Sequence, residues 1–282
     1  MKFSTAFLTA AAVAASVVAR PSTLVQRLKS RQEGISPGSR LDKFEGGTTD
    51  IDVLDAVGEK QVSWSNNWAG VVLDPPSSGY YTSVTGRFTV PIPKHVGKAS
   101  DQFSNAWVGI DGDASCAGGP LQAGVNFIIN KHGVVSYEAW VELYPHPSVL
   151  LDNFDVRAGH VIQVDIAARS AIAGTATITN LNTKKSVSRT LTIAKDYPLC
   201  RTSAEWIVED YHIPGYGAYV PFNNFGNVTF TSASAQLNTG VKKDLTQPHV
   251  VWSIMKDVPV TDITIHSGSS LSVVYIVPKK HN

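Results

Sequence analysis

An all-β protein, folded as an antiparallel β-sandwich, is what this sequence predicts, and three observations predict it. Short runs rich in Val, Ile, Thr and aromatic residues recur along the chain, bounded by clusters of Gly, Pro, Asn and Asp. Helical periodicity is almost absent, whereas strict alternation is common. In several runs that alternation sorts the side chains into an apolar set and a set mixing tryptophans, carboxylates and amides.

The strand-like runs follow one another with turn signals between them. NNWAGVVL stops at DPPSSG, and YYTSVTGRFTV stops at PIPK. FSNAWVGID turns at DGD, and LQAGVNFII turns at NKHG into VVSYEAWVELY. VIQVDIAA comes next, then TATITNL and SVSRTLTI, joined through NLNTKK. AEWIVEDY runs into PGYG, and NVTFTSA, VVWSIM, ITIHS and LSVVYIV complete the series. Such spacing, with no internal repeat, is that of a sandwich.

Splitting the runs by parity exposes one unusual face. NNWAGVVL gives Asn67, Ala69, Val71 and Leu73 against Asn66, Trp68, Gly70 and Val72. NAWVGID gives Ala106, Val108 and Ile110 against Asn105, Trp107, Gly109 and Asp111. LQAGVNF divides into Leu121, Ala123, Val125 and Phe127 against Gln122, Gly124 and Asn126. SYEAWVELY and AEWIVED contribute Glu138, Trp140, Glu142, Glu205, Ile207 and Glu209 to the second kind of set, with Trp206 among the core residues. A solvent-facing sheet would show Lys, Thr and Ser, not Trp68, Trp107 and Trp140. If these strands share a sheet, its outer face is a substrate cleft.

The N-terminal part is different in kind. Residues 1–19 carry Lys2, then a short alanine-rich apolar run ending in Val17-Val18-Ala19, and read as a signal peptide that sends the protein out of the cell. Residues 20–60 hold no Trp or Tyr, blocky charge and Gly/Pro punctuation, which predicts a propeptide or disordered leader. The folded domain is expected over 61–282. After residue 60 basic and acidic residues are equal in number, which argues against nucleic acid and against an electrostatic membrane partner. In an exported chain the two cysteines, Cys116 and Cys200, pair by default.

Familiar catalytic motifs are missing. Gly34-Ile35-Ser36-Pro37-Gly38 matches a nucleophile elbow by letters alone, since Pro37 lacks the N–H that the oxyanion hole needs. The eight histidines have no metal-ligand spacing, so no metal and no cofactor is expected. Asp111-Gly112-Asp113 reads as a tight turn. Asn227-Val228-Thr229 is a glycosylation sequon within a predicted strand.

Carboxylate and amide chemistry on the aromatic face remains. A retaining glycosidase needs two carboxyl groups about 5–5.5 Å apart. Glu205 and Glu209, four residues apart in one strand, are separated by roughly 13 Å, although Glu205 could pair across the sheet with Glu138 or Glu142. A peptide hydrolase needs a general base for water and a neutral donor for the oxyanion, and Glu205 and Gln122 have those chemistries. Cys116 lies six residues before Gln122 and Cys200 five before Glu205, so a disulfide there would tie together the turns leading into both strands.

NAWVGIDGD, a following Cys, PLQAGV, YEAWVELYP, Cys200, AEWIVED and FNNFGNVTFTSA occur in the order found in the glutamic peptidases, or eqolisins, and SNNWAGVVL and VTGRFTVP resemble that family's opening strands. The resemblance spans residues 63–277. It implies two curved sheets of about seven strands each, a concanavalin-like sandwich, and a Gln/Glu dyad falling on Gln122 and Glu205. In that scheme Glu205 activates a water and then protonates the leaving nitrogen, while Gln122 stabilises the oxyanion. Trp107 and Asp111 would support the dyad, and Trp68 and Glu142 would line the cleft. The resemblance further implies a secreted, pepstatin-insensitive, monomeric endopeptidase acting on proteins or peptides, made as a zymogen with its own propeptide as inhibitor. Two features depart from the pattern: Leu143 stands where the family commonly has an aromatic, with His146 after Pro145, and the domain is near neutral rather than acidic. The second departure points to a mildly acidic working range. A carbohydrate-binding or glycoside-cleaving sandwich, or an inactive peptide-binding relative, are the competing readings.

Overall fold

The structure is a computed structural model, and it describes residues 40–43, 51–55, 58–113, 116, 118–212, 219–247, 249–256 and 258–277. The signal peptide expected over 1–19 lies outside them. In chain order the first strands are β1 (Ile51–Asp55), β2 (Gly58–Ser65), β3 (Trp68–Leu73), β4 (Tyr81–Thr89), β5 (Gln102–Ile110) and β6 (Leu121–Ile129). Next come β7 (Val135–Leu143), β8 (Val149–Leu150), β9 (Val161–Ser170), β10 (Ala173–Asn180), β11 (Lys185–Thr192) and β12 (Ala204–Glu209). The last are β13 (Asn227–Leu237), β14 (Lys242–Lys243), β15 (His249–Lys256), β16 (Val258–Pro259), β17 (Thr261–Ser267) and β18 (Ser270–Tyr275). Each of the runs predicted after residue 61 is a strand.

Two sheets form. The front sheet has the order β1-β2-β15-β3-β12-β5-β6-β7-β8 with β16 on β15, and the back sheet the order β11-β10-β9-β4-β13-β18-β17 with β14 on β13. The counts are ten and eight rather than about seven each. The back sheet exceeds seven only by the two-residue β14, while the front sheet is widened mainly by β1 and β2. One pairing departs from the antiparallel rule, the parallel ladder of β2 on β15 with Val251 opposite Val62.

Burial separates the sheets sharply. In the back sheet β10 alternates half-buried and buried positions, the signature of one face on the core and one towards solvent. In the front sheet β3, β5, β6 and β12 are buried at every position, so both faces are covered. Between the sheets lie Val71, Val108, Val141 and Trp206 from the front and Phe88, Ile166 and Phe230 from the back. Gly86 makes room for Trp206: a Cβ there would lie 2.7 Å from the indole, whose Nε1–H donates to the Thr85 carbonyl at 2.9 Å. Trp206 is therefore core, as alternation predicts, and bolts the front sheet to the back.

The stretch predicted as a disordered leader is in part ordered on this body. The expected boundary at residue 60 falls inside β2, β1 pairs with β2, and Lys43 bridges to Ser65. The segment's composition offers too little apolar surface for a core of its own, and the described part instead ladders β1 on β2 and buries Leu41 against the front sheet.

Candidate active site

The outer face of the front sheet is built in three rows, each read straight across the strands. The first row is Val72, Glu205, Gly109, Gln122 and Glu142; the second is Gly70, Ile207, Trp107, Gly124 and Trp140; the third is Trp68, Glu209, Asn105, Asn126 and Glu138. Two polar rows thus flank an aromatic one across the five strands β3, β12, β5, β6 and β7.

Glu205 and Gln122 stand on either side of Gly109, two strand spacings or roughly 10 Å apart at their Cα atoms. A Cβ on Gly109 would lie 2.9 Å from the Trp107 ring and 3.1 Å from the Gln122 Cβ, so only glycine lets the ring and Gln122 pack this closely. Gln122 is oriented by Glu142, whose Oε2 accepts a hydrogen bond from its Nε2 at 3.0 Å. The amide nitrogen carries a second hydrogen, which that bond leaves available. Gln122 Oε1 and both Glu205 carboxyl oxygens are buried and have no hydrogen-bond partner among the described residues. Buried polar atoms without partners are costly, and three of them in one row of the sheet mark a place for a polar guest.

Burial is the largest influence on Glu205 and raises its carboxyl well above the usual carboxylate range. The nearby Ser203 hydroxyl and Asp111 backbone, although neither completes a hydrogen bond of good geometry to it, draw it down, and the charges of Asp113 and Asp111 push it further up.

The supporting residues act through contacts of their own. Trp107 Nε1–H donates to Glu209 Oε2 at 2.9 Å, and its ring meets Trp68 edge to face with centroids 4.9 Å apart. Asp111, at φ 69°, accepts the N–H groups of Arg201 and Thr202, both at 2.8 Å, and so holds the chain entering β12. Cys116 and Cys200 are bonded with Cα atoms 5.8 Å apart, joining the approaches to β6 and β12. Asn227 is exposed at the first position of β13.

Some roles were not visible in sequence. Glu209 shares the face of Glu205, as alternation predicts, yet its partner Trp107 is remote in sequence. Asn67 falls among core residues by parity, but it precedes β3 and its side chain reaches Glu209 Oε1 at 3.4 Å. Glu142, a possible acid partner for Glu205, is separated from it by Gly109 and Gln122, three strand spacings or roughly 14 Å. Glu138 lies in the third row. Neither makes a retaining carboxylate pair.

Beside this face Asp210 is buried and paired with Lys256 at 2.8 Å. Burial outweighs the lysine and pushes its carboxyl up to about 7. A folded-state pKa raised above the unfolded one contributes stability that is full below about pH 4 and lost as pH rises through about 7. Asp210→Asn should therefore match the parent in thermal stability near pH 4 and exceed it increasingly towards pH 7, checked by melting curves across that range.

Comparison with known proteins identifies the family. The model of the Peptidase A4 family matches residues 66–275. The chain is 35% identical to aspergillopepsin-2 of Aspergillus niger, over 98% of this chain and all of that one. It is 29% identical to scytalidopepsin B of Scytalidium lignicola, over 98% of this chain and all of that one. The crystal structure of scytalido-glutamic peptidase with a transition state analog inhibitor superposes with a TM-score of 0.65 at 31% identity, covering 75% of this chain and 98% of that one. With its two-sheet sandwich and its row of Glu205, Gly109, Gln122 and Glu142, the chain belongs to the peptidase A4 family.

Proposed function

We propose that Glu205 and Gln122 are the dyad with which this glutamic-type endopeptidase hydrolyses peptide bonds in proteins and peptides. The observation that carries the reading is the set of unpartnered buried atoms, Gln122 Oε1 and both Glu205 oxygens, on either side of Gly109. A water seated between them can donate to both side chains. Glu205 as carboxylate takes one proton from that water as its oxygen bonds to the peptide carbonyl carbon. The free Nε2–H of Gln122 then donates to the resulting oxyanion, with Glu142 keeping the amide turned that way. As the C–N bond breaks, Glu205 returns the proton to the departing nitrogen and is again a carboxylate. No group outside the protein is needed for the proton to make this circuit.

Export as a monomeric zymogen is part of the same reading. It is supported by the apolar N-terminus, by a disulfide and by a leader segment lying on the aromatic face. The propeptide then acts as the enzyme's own inhibitor. Asn227, exposed within its sequon, is the position for glycosylation.

Cleavage of casein or haemoglobin should be measured across pH 2–7 with pepstatin present. Gln122→Ala should lower kcat about 10²–10³-fold, the size expected on losing one oxyanion donor. Undiminished activity in that variant would remove Gln122 from the mechanism, and cleavage of glucan instead of protein would favour the glycosidase reading.

A further inference from the structure

Among the described residues of the leader, Leu41 is buried on the candidate active face and Lys43 sits over the Trp252 ring beside it. Leu41 is only 6% exposed and is packed in a cluster with Trp68, Trp107, Trp140, Ile207 and Trp252. Its backbone is gripped on both sides. Leu41 N–H donates to the Gly112 carbonyl at 3.0 Å, and Asp42 N–H donates to Asn67 Oδ1 at 2.9 Å. The Arg40 carbonyl accepts from Asn67 Nδ2 at 2.9 Å, and the Asp42 carbonyl accepts from Asn66 N–H at 2.8 Å and from the Ser65 hydroxyl at 2.9 Å. Arg40 also donates to the Cys116 carbonyl, and Tyr219 to the Asp42 carboxylate.

This is how an extended peptide is read: main-chain hydrogen bonds independent of sequence, and one pocket that reads a side chain. The strap nonetheless leaves the dyad untouched, since neither Gln122 Oε1 nor either Glu205 oxygen takes a hydrogen bond from it. We infer that residues 40–42 lie in the substrate channel as a pseudo-substrate, and that the tryptophan-lined pocket filled by Leu41 selects a leucine-sized aliphatic side chain in substrates. The inference rests on the peptidase reading above and adds to it a specificity pocket and the residue that blocks it. Asn67, which contacts the strap backbone and Glu209 together, becomes the residue that positions the bound peptide.

The test uses the full chain with Leu41 intact, as Leu41→Ala and as Leu41→Met. Rates are taken before processing, on peptides that differ only in having Leu, Ala, Phe or Asp at one position. The Leu41→Ala precursor should be at least about tenfold more active than the parent, because the truncated side chain gives up most of its buried area. Leu41→Met, similar in volume, should stay latent. After self-processing, parent and variants should act alike and prefer the Leu peptide to the Ala peptide by about tenfold or more. Equal precursor rates for parent and Leu41→Ala, or a processed enzyme indifferent to Leu, would overturn the inference. A second readout needs no activity. In the Glu205→Gln background Leu41→Ala should shift tryptophan emission to the red as the cluster is uncovered, and an unchanged spectrum would count against the strap. If the emission shifts while no form cleaves protein, the peptidase reading fails and the docked strap stands.

Discussion

Glu205→Gln should lower kcat by about 10²–10⁴-fold, the range that a positioned acid–base group supplies, while leaving the fold intact. The substitution keeps the shape of the side chain and removes only its ability to take and return a proton. Because the Glu205 carboxyl is fully buried with no hydrogen-bond partner on either oxygen, the native group is itself a cost to the fold. Thermal stability should accordingly be unchanged or higher in the variant, a gain in stability bought by losing function. Steady-state kinetics on a peptide substrate, together with a melting curve, check both halves. Activity that survives Glu205→Gln in a protein melting at the parental temperature would refute the proposed mechanism.

Removing the disulfide should be the largest single loss of stability. Cys116 and Cys200 are 84 residues apart, and in the chain-entropy picture closing a loop of that length is worth roughly 4–5 kcal/mol. For a domain of this size that corresponds to a fall in melting temperature of about 10–15 °C, measurable by calorimetry on the Cys116→Ala/Cys200→Ala variant. Activity should fall as well, because the bridge enters just before Glu205. Part of the geometry should survive, since the Asp111 carboxylate separately holds the N–H groups of Arg201 and Thr202. A variant that melts within a few degrees of the parent would mean that those backbone bonds, and not the bridge, tie β5 to β12.

Alternation was enough to assign Trp68, Trp107, Gln122, Trp140, Glu142, Glu205 and Glu209 to one face, because a strand with a period of two leaves each side chain only two choices. It failed at Asn67, which lies just outside its strand, where the pleat no longer dictates direction. It also said nothing about the neighbour across the sheet. That Glu205 faces Gln122 over Gly109, and not Glu138 or Glu142 directly, depends on the order β12-β5-β6-β7 and on register.

The leader shows the same division from the other side. Composition marks residues 20–60 as a segment with no core of its own, but composition concerns what a segment does alone. Once the domain exists, its aromatic face covers Leu41, and β2, which runs on into the domain, offers β1 a ladder.

The sequence by itself determined that this protein is a β-sandwich with one aromatic and acidic face, because hydrophobic periodicity and turn chemistry are local properties. Only the tertiary structure decided that Glu142 holds the Gln122 amide, that Gly109 stands between Gln122 and Glu205, and that a leucine of the leader covers the face. Those are matters of strand order and register, set by contacts between residues far apart in the chain, and no local pattern encodes them.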